Sequence, residues 1–412
     1  MIIPFDSDRQ VRGRPVVSWI LIALTGALAL VLQAMQLTGR ANAVTAIVNA
    51  LGISAVAPHA WSPLTYMLVH VGLAHFLVNA FYLWVFGSGV EDAVGWKRML
   101  AIFMIGGAAG GILQWAFGAL TLAPEQRGMP IVGASAGCAA LMGAFSLRYY
   151  RARLSLIGIP WKPHVVSVIS LLLFLEMAGG LYSVLHGEQA TGVAHWAHVG
   201  GFLIGLIVAR MLHLQQQAGN SYLQEDAEKA LAAGSPAAAI RRLDRVLAQA
   251  PNDIQATSAL VPAWLALGDE RAAAEALAKA QKMLLDRGSR AEAARLWAAS
   301  TPACELLLRR NPGAILTPRE WQILAAGLEE REEFSAAAQI LEQGAMSWSD
   351  AADAEPALIK AITLYTYQLH RRPEARILMA HFTRRFPHSP WRAHAEALER
   401  ELQNGSANEP GR

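Results

Sequence analysis

The stretches GASAG at residues 133–137 and HWAHVGGFLIG at residues 195–205 each lie within a long apolar run of the sequence. The first contains Ser135 and the second contains His198. Polar residues inside a bilayer are costly, so each one needs a physical reason to be there. A serine hydroxyl becomes a good nucleophile when a base takes its proton, and a neutral imidazole suits that task. The two stretches together indicate a bundle of membrane helices that carries a nucleophile and a base.

Six apolar segments are long enough to cross a bilayer, which needs roughly 20 mostly apolar residues. They are predicted at residues 16–37, 71–90, 99–119, 131–149, 163–184 and 193–212. The second apolar run begins earlier, and its first part, Leu64–His70, is predicted to be interfacial or re-entrant. Charged residues make up only 16% of the 412-residue chain, whereas about a quarter is typical of soluble proteins. The sequence therefore predicts an integral, multi-pass membrane protein.

The apolar half is followed, from about Gln215, by a half rich in Ala, Leu, Glu and Arg. The predicted fold class is all-α, with a six-transmembrane-helix bundle followed by a soluble α-helical repeat domain. The predicted regions are an N-terminal segment at 1–15, a membrane domain at 16–213, a linker at 214–224, a repeat domain at 225–403 and a disordered tail at 404–412.

Charge and cysteine content exclude several classes of protein. The formal net charge is +3 and no block of Lys and Arg is present, so nucleic acid is not a predicted partner. The two cysteines, Cys138 and Cys304, indicate neither a disulfide framework nor a zinc site. The first apolar run lacks a clear cleavage site and is predicted to be retained as a membrane helix.

Orientation is predicted from the bias of Lys and Arg towards the cytoplasmic loops. Basic residues flank the same ends of the spans at Arg9, Arg12, Arg14, Lys97, Arg98, Arg148, Arg151, Arg153, Lys162 and Arg210. The opposite loops carry only Arg40 and Arg127. The N-terminus and the C-terminal domain are therefore predicted to be cytoplasmic, and the membrane is predicted to be a bacterial inner membrane.

Polar residues of the second, fourth and sixth spans are predicted to lie at one level. These three spans run in the same direction, and His75, Ser135 and His198 all fall within about 10 Å of the outer boundary. Asn79 is four residues after His75 and shares its helix face. An amide, an imidazole N–H and a backbone N–H can all stabilise an oxyanion, so this level can build a hydrolytic site.

Other interpretations of the same residues remain open. GASAG also fits a GxxxG pattern for tight helix packing, and Asn79 alone could bond between helices. His195 is predicted to be solvated or structural. His75, His195 and His198 could suggest a metal, but no carboxylate or cysteine is expected at their level, so no metal or cofactor is predicted.

Three motifs resemble the signatures of the rhomboid intramembrane serine proteases. They are TYMLVHVGLAHFLVNAFYLWVFG at residues 65–87, GASAG, and AHVGGFLIG. The resemblance covers roughly residues 10–213. It implies that Ser135 is the nucleophile and His198 the general base, in a dyad without an acid. It further implies cleavage of transmembrane segments of membrane proteins, which would enter laterally between spans 2 and 5, without a cofactor.

The same resemblance implies roles for surrounding residues. His75 and Asn79 match oxyanion donors, which act together with the Ser135 backbone N–H. The residues with supporting roles are His70, Gly133, Gly137, Gly201, Glu91 and Trp61. Among them, Gly201 matches a glycine that lets helices 4 and 6 approach closely. Ser62 stands where the family commonly has Arg after Trp61, which puts the rigidity of that loop in doubt but not the chemistry.

The soluble half shows a 34-residue period. Gly234 and Gly268 are 34 residues apart, as are Leu243 and Leu277, and Pro251 closes the first unit. This order is typical of tetratricopeptide repeats. Three to five helix pairs are predicted, whose concave face would bind a soluble protein or peptide; a passive stabilising cap is the alternative.

Two other functions compete with proteolysis. A catalytically inactive scaffold would bind transmembrane helices through the bundle and soluble partners through the repeats. A transporter or channel would line a polar path with His75, Asn79 and His198. The second, fourth and sixth spans are almost wholly apolar below that level, which argues against a path to the inner side.

Overall fold

The computed structural model describes residues 3–9, 13–54, 56–121, 130–186, 193–310, 316–348 and 351–404, which are mostly helical. The chain divides into two compact units, Met1–Gly219 and Asn220–Arg412. Of the predicted features, Arg12, Arg127 and residues 405–412 of the tail lie outside the described residues.

The first unit is a helical bundle with one small strand pair. Its helices are α1 (Val16–Leu37), α2 (Ala41–Leu51), α3 (Ser62–Thr65), α4 (Leu73–Tyr82), α5 (Ser88–Val94), α6 (Trp96–Thr121), α7 (Ser135–Arg148), α8 (Val165–His186) and α9 (His195–Met211). A 3₁₀ turn, Tyr66–Leu68, follows α3, and a π-helical turn, Leu83–Gly87, joins α4 to α5. Strand β1 (Pro4–Ser7) pairs antiparallel with β2 (Leu154–Leu156), which the sequence did not predict.

Four helical stretches of the described residues are long and apolar enough to cross a membrane: Val16–Leu37, Leu73–Val94, Trp96–Leu120 and Val165–His186. A fifth qualifies only if α9 and the helix after it form one bent span. Two predicted spans correspond to α7 and α9, which have only 14 and 17 residues. The membrane character of the unit is therefore clear, and the count of six spans stays a prediction.

The apolar run that predicted a span at 131–149 starts before its helix does. Ile131 forms an isolated antiparallel bridge with Ile53, and Gly133 has a φ of +121°, so the chain is not helical until Ser135. These first residues are apolar because they pack into the bundle, not because they continue the helix. The consequence is that Ser135 lies at the first position of α7.

Helices α7 and α9 touch through their backbones. A Cβ atom at Gly201 would lie 2.2 Å from the carbonyl oxygen of Ala136, and one at Gly205 would lie 2.0 Å from that of Ala140. Small residues four apart allow this approach in membrane helices. The α7 side chains from Ala136 to Phe145 are all buried, so α7 forms the centre of the bundle.

A buried carboxylate holds the start of α1. The two oxygens of Glu91 accept hydrogen bonds from the Val17 N–H at 2.9 Å, the Ser18 N–H at 2.8 Å and the Ser18 hydroxyl at 2.7 Å. The first N–H groups of a helix have no partner within the helix, and a negative charge there is favourable. Glu91, on α5, thus holds the N-terminal start of α1 in place.

The second unit is formed by helices that follow one another closely in sequence. They are α10 (Leu214–Ala232), which begins in the first unit, α11 (Pro236–Gln249), α12 (Ile254–Leu267), α13 (Glu270–Asp286), α14 (Arg290–Ala298), α15 (Thr301–Arg310), α16 (Pro318–Glu329), α17 (Phe334–Ser347), α18 (Ala351–Thr363), α19 (Arg372–Arg385) and α20 (Arg392–Asn404). The predicted linker, residues 214–224, is the helical first part of α10.

Residues 34 apart occupy equivalent places in this unit. Gly234 and Gly268, with φ values of +72° and +85°, follow the ends of α10 and α12. Such left-handed positions after a helix favour glycine. Leu243 of α11 and Leu277 of α13 are both buried in the shared core. The assignment of this unit to tetratricopeptide repeats stays a prediction.

Candidate active site

Ser135 and His198 lie in direct contact. The Nε2 atom of His198 is 2.7 Å from the Oγ atom of Ser135. Ser135 is the first residue of α7, and His198 lies in the first turn of α9. Because α7 and α9 are held together by their glycines, the distance between these two side chains is set by the packing of the bundle. A base within hydrogen-bonding distance of a hydroxyl can take its proton.

The loop before Ser135 is shaped by two histidines. A Cβ atom at Gly133 would lie 2.7 Å from the ring of His75, and its φ of +121° is a conformation that favours glycine. The Ala134 N–H donates a hydrogen bond to Nε2 of His70 at 3.2 Å. His70 therefore braces the turn that presents Ser135, and the side chain of His75 lies against the same turn.

His70 accepts this hydrogen bond as a neutral ring. It lies just before α4, outside the membrane-spanning stretches, and it is fully buried. Burial, together with the neighbouring His75 ring at 5.1 Å between centroids, lowers the pKa of His70 from 6.5 to about 4. A protonated Nε2 could not accept the Ala134 N–H, so the turn depends on the neutral form.

His75 and Asn79 both line a cavity that also contains Ser135. The Nδ2 atom of Asn79 donates a hydrogen bond to the backbone oxygen of His75 at 3.0 Å, and the side chain is buried. A carboxamide carries two N–H groups, and this bond uses one of them. The Sγ atom of Cys138 is 3.8 Å from the backbone oxygen of Asn79.

A carboxylate lies beside the candidate base, and the prediction that none would share this level is wrong. The Oε2 atom of Glu176, on α8, is 2.9 Å from Nδ1 of His198 and 2.7 Å from Nδ1 of His195. Cys138 lines the same cavity, so the expected absence of cysteine is also wrong. His195 is buried and bonded to Glu176, which excludes the solvated alternative for it.

The sequence held a signal for Glu176. It is the only acidic residue inside the predicted span 163–184, and an ionisable residue inside a membrane helix is a functional candidate by default. Glu176 adds a carboxylate, a common metal ligand, to the histidines at this level. Among the residues that the structure describes, no group of three or more His, Cys, Asp and Glu side chains is arranged to hold a metal ion.

Helix α9 is seated against two neighbours at this level. A Cβ atom at Gly179 would lie 2.4 Å from the ring of His195, so α8 leaves a notch for that ring. On α6, Oε1 of Gln114 accepts hydrogen bonds from the N–H groups of Trp196 at 2.9 Å and Ala197 at 3.2 Å. Gln114, which no sequence motif indicated, thus caps the start of the helix that carries His198.

Comparison with known proteins agrees with the motifs. Residues 57–215 match the family model described as Rhomboid domain. The chain is 30% identical over 163 residues to RHOMBOID-like protein 6, mitochondrial, of Arabidopsis thaliana, which is 39% of this chain and 46% of that protein. It is 30% identical over 162 residues to Rhomboid-related protein 1 of Caenorhabditis elegans, covering 38% of this chain and 42% of that protein.

A bacterial relative also matches. The chain is 26% identical over 154 residues to the Rhomboid protease GluP of Bacillus subtilis, which is 37% of this chain and 26% of that protein. These findings support the rhomboid family. The chain spans less than half the length of the curated relatives named here. The rhomboid family also contains inactive members, so family alone does not decide activity.

The rhomboid domain has a cavity of about 770 Å³ that opens beside Ser135 and His198. Its lining includes residues of α4, such as Val78, and of α8, such as Leu172, as well as residues of α7 and α9. Most of its lining side chains are apolar, and a few are polar, among them His75, Asn79 and Ser135. This is the usual composition of a ligand-binding cavity in proteins.

The loop between α2 and α4 is held by local hydrogen bonds and ring stacking. Nε1 of Trp61 donates a hydrogen bond to the backbone oxygen of Ala50 at 2.9 Å, and its ring stacks on that of His59 with 4.7 Å between centroids. The Ser62 hydroxyl donates to the backbone oxygen of His59 at 2.8 Å. The residue that replaces the family's usual Arg thus contributes to a turn.

Proposed function

We propose that this chain is an intramembrane serine endopeptidase that cleaves transmembrane segments of membrane proteins. Ser135 is the nucleophile and His198 the general base. The observation that carries the proposal is the 2.7 Å contact between His198 Nε2 and Ser135 Oγ at the wall of a cavity between α4 and α8. Such a contact is what activates a serine hydroxyl for attack on an acyl carbon.

In the proposed reaction, the Ser135 hydroxyl donates its proton to Nε2 of His198 as Oγ forms a bond to the scissile carbonyl carbon. The carbonyl oxygen becomes an oxyanion, which the backbone N–H of Ser135, a ring N–H of His75 and the amide of Asn79 stabilise. His198 then gives the proton to the leaving amine, and the C–N bond breaks. Water, deprotonated by the same ring, hydrolyses the acyl-enzyme.

The substrate is proposed to reach Ser135 from the bilayer, between α4 and α8. The walls of the cavity on these two helices are mostly apolar, which suits a segment that arrives from lipid. A peptide bond in a helix has its carbonyl in an i→i−4 hydrogen bond, so the segment must unwind before attack. Substrates with residues that weaken a helix near the cut are therefore favoured.

The proposed topology has six spans, with the N-terminus and the second unit in the cytoplasm of a bacterium. The bias of basic residues supports this orientation. A test is L267C, at an exposed position of the second unit, in a chain whose Cys138 and Cys304 are replaced by Ser. A membrane-impermeant maleimide should label it in inverted vesicles only; labelling in right-side-out vesicles would contradict the topology.

The second unit is proposed to bind a soluble protein or a peptide. Its consecutive helices share one long core, and stacked helix pairs of this kind present an extended surface to partners. Affinity selection with the second unit alone and with the full chain should recover the same partner if this is correct.

The test of the proteolytic function is labelling of the detergent-solubilised protein with a fluorophosphonate. We expect a covalent adduct on the wild type that is lost in Ser135→Ala and forms about 10⁶-fold more slowly in His198→Asn. The matched control is Ser146→Ala, because Ser146 also lies on α7 but bonds only locally to the Gly143 oxygen at 2.8 Å. It should label like the wild type.

Cleavage of a reporter transmembrane segment should follow the same order among the variants. If the folded wild type gives neither adduct nor cleavage, the chain is a catalytically inactive scaffold. In that case Ser135→Ala would leave its cellular role intact.

A further inference from the structure

We propose that Glu176 is a positioning residue for the base, so that Ser135, His198 and Glu176 act as a connected series. This inference rests on the proposed proteolytic function and departs from the dyad without an acid that the family resemblance implies. The evidence is the convergence of two imidazoles on one carboxylate oxygen at the level of the candidate nucleophile.

The chemistry of the imidazole ring requires an acceptor at this place. A neutral imidazole carries one N–H and one bare nitrogen. To take a proton from Ser135, His198 must present bare Nε2, so its proton must sit on Nδ1. The Nδ1 atom is 2.9 Å from Oε2 of Glu176. The carboxylate therefore selects the tautomer that can act as a base, and its charge stabilises the imidazolium formed when the Ser135 proton is taken. The carboxylate itself stays ionised throughout.

His195 holds the carboxylate in place. Its Nδ1 lies 2.7 Å from the same Oε2 atom, and its ring fills the notch left by Gly179, one turn after Glu176 on α8. Two partners on one oxygen fix where that oxygen points, and a charge inside a membrane domain needs such partners. His195 thus acts on the carboxylate, and the carboxylate acts on His198.

A purely structural clamp between α8 and α9 is the competing explanation. It predicts that replacing Glu176 changes stability and leaves the chemistry of the folded protein alone. The positioning role predicts the reverse: the tautomer of His198 and the reactivity of Ser135 change even where the fold is intact. Leucine has a similar size and suits a membrane helix, whereas glutamine keeps an oxygen acceptor without the charge.

The experiment compares the wild type with Glu176→Leu, Glu176→Gln and the control Met177→Leu. Met177 is the next residue on α8 and is 53% exposed, so its side chain points away from the cavity lining. The first readout is the ¹⁵N NMR spectrum of the histidine side chains, with the His198 signals identified by their loss in His198→Asn. Wild type and Met177→Leu should show the Nδ1–H tautomer of His198, and Glu176→Leu should show a mixture of tautomers.

The second readout is the rate of fluorophosphonate labelling and of reporter cleavage at a temperature where each variant is folded. We expect kcat to fall about 100-fold in Glu176→Leu and about 10-fold in Glu176→Gln, with KM within about twofold of the wild type. The graded order from Glu to Gln to Leu is the signature of an acceptor whose charge also matters.

The outcomes separate the two proposals. An unchanged His198 tautomer in both Glu176 variants, or a folded Glu176→Leu protein that labels at the wild-type rate, overturns the positioning role. If the wild type neither labels nor cleaves, proteolysis is wrong, and the tautomer still decides whether Glu176 orients His198. If Glu176→Leu does not fold, the isosteric Glu176→Gln variant decides the rate question with the same spectra.

Discussion

The first unit contains a buried glutamate, Glu91, and a partly buried one, Glu176, and the two carboxylates have different partners. Glu91 accepts hydrogen bonds from the start of α1, two of them from backbone N–H groups. The Oε2 atom of Glu176 lies 2.7 Å from Nδ1 of His195 and 2.9 Å from Nδ1 of His198, at the wall of a cavity. Backbone partners identify a carboxylate that holds a helix end. Titratable side-chain partners beside a candidate nucleophile identify one that can tune chemistry.

The largest effect on stability is expected from a change in helix packing that touches neither glutamate. Gly201→Val puts a side chain where a Cβ atom alone would lie 2.2 Å from the Ala136 oxygen. We expect the free energy of unfolding to fall by about 3 kcal/mol and the Ser135–His198 contact to be lost. Thermal unfolding in detergent and fluorophosphonate labelling measure the two effects.

The control for this variant is Gly219→Ala, because a Cβ atom there would meet nothing within 4 Å apart from its own stretch of helix backbone. A side chain in the interior of α10 should leave stability unchanged or raise it by up to about 1 kcal/mol. A Gly201→Val protein as stable as the wild type would show that α7 and α9 can separate without loss.

An intermediate effect is expected when the pH is lowered, because His70, unlike the two glutamates, is a buried group that must stay neutral in the folded protein. The fold lowers the pKa of His70 from 6.5 to about 4, so the folded state binds fewer protons than the unfolded state between these values. The contribution of His70 to the free energy of unfolding is therefore fully present above pH 6.5 and is lost as the pH falls towards 4. Between pH 7 and pH 5, His70 should account for about 2 kcal/mol of lost stability.

The measurement is the midpoint of unfolding at pH 7 and at pH 5 for the wild type and for His70→Gln. Glutamine keeps an acceptor for the Ala134 N–H but does not titrate, and the other ionisable groups are common to both proteins. Equal acid sensitivity of the two proteins would contradict the role given to the neutral ring.

The smallest expected effect is that of Glu91→Gln, which tests the role of the other glutamate directly. Glutamine loses the charge at the start of α1, and we expect unfolding to become easier by about 1 kcal/mol. The labelling rate of Ser135 should not change while the protein is folded. Asp92→Asn is the matched control, since Asp92 bonds to the exposed Gly13 N–H, and its loss should be smaller. A slower labelling rate in folded Glu91→Gln would contradict a purely structural role for Glu91.

The sequence predicts those site residues for which an apolar segment offers few other polar candidates. Ser135, His198, His75 and Asn79 are rare polar residues in apolar runs, and the structure places all four at one cavity. Glu176 was not predicted because it lies on the fifth span, which runs in the opposite direction to the three spans that carry His75, Ser135 and His198. Its level depends on how α8 packs against α9, and apolar periodicity does not determine which face of a nearly uniform apolar helix meets a neighbour.

Other features depend on contacts between residues that are distant in the sequence. The bridge between Ile53 and Ile131 shortens the helical part of an apolar run, and apolarity alone does not distinguish a buried loop from a helix. Strands β1 and β2 are only four and three residues long. Segments so short carry no alternating pattern, so their pairing across the chain was not visible.

The pairing of β1 with β2 has a practical consequence. Asp8 extends the contact, since its Oδ1 accepts the Arg153 N–H at 2.9 Å and its own N–H donates to the Arg153 oxygen at 3.1 Å. A truncation that begins at Arg14 would remove one side of this ladder and leave β2 as an unpaired edge. A trimmed N-terminus would therefore expose a strand to which other chains could add.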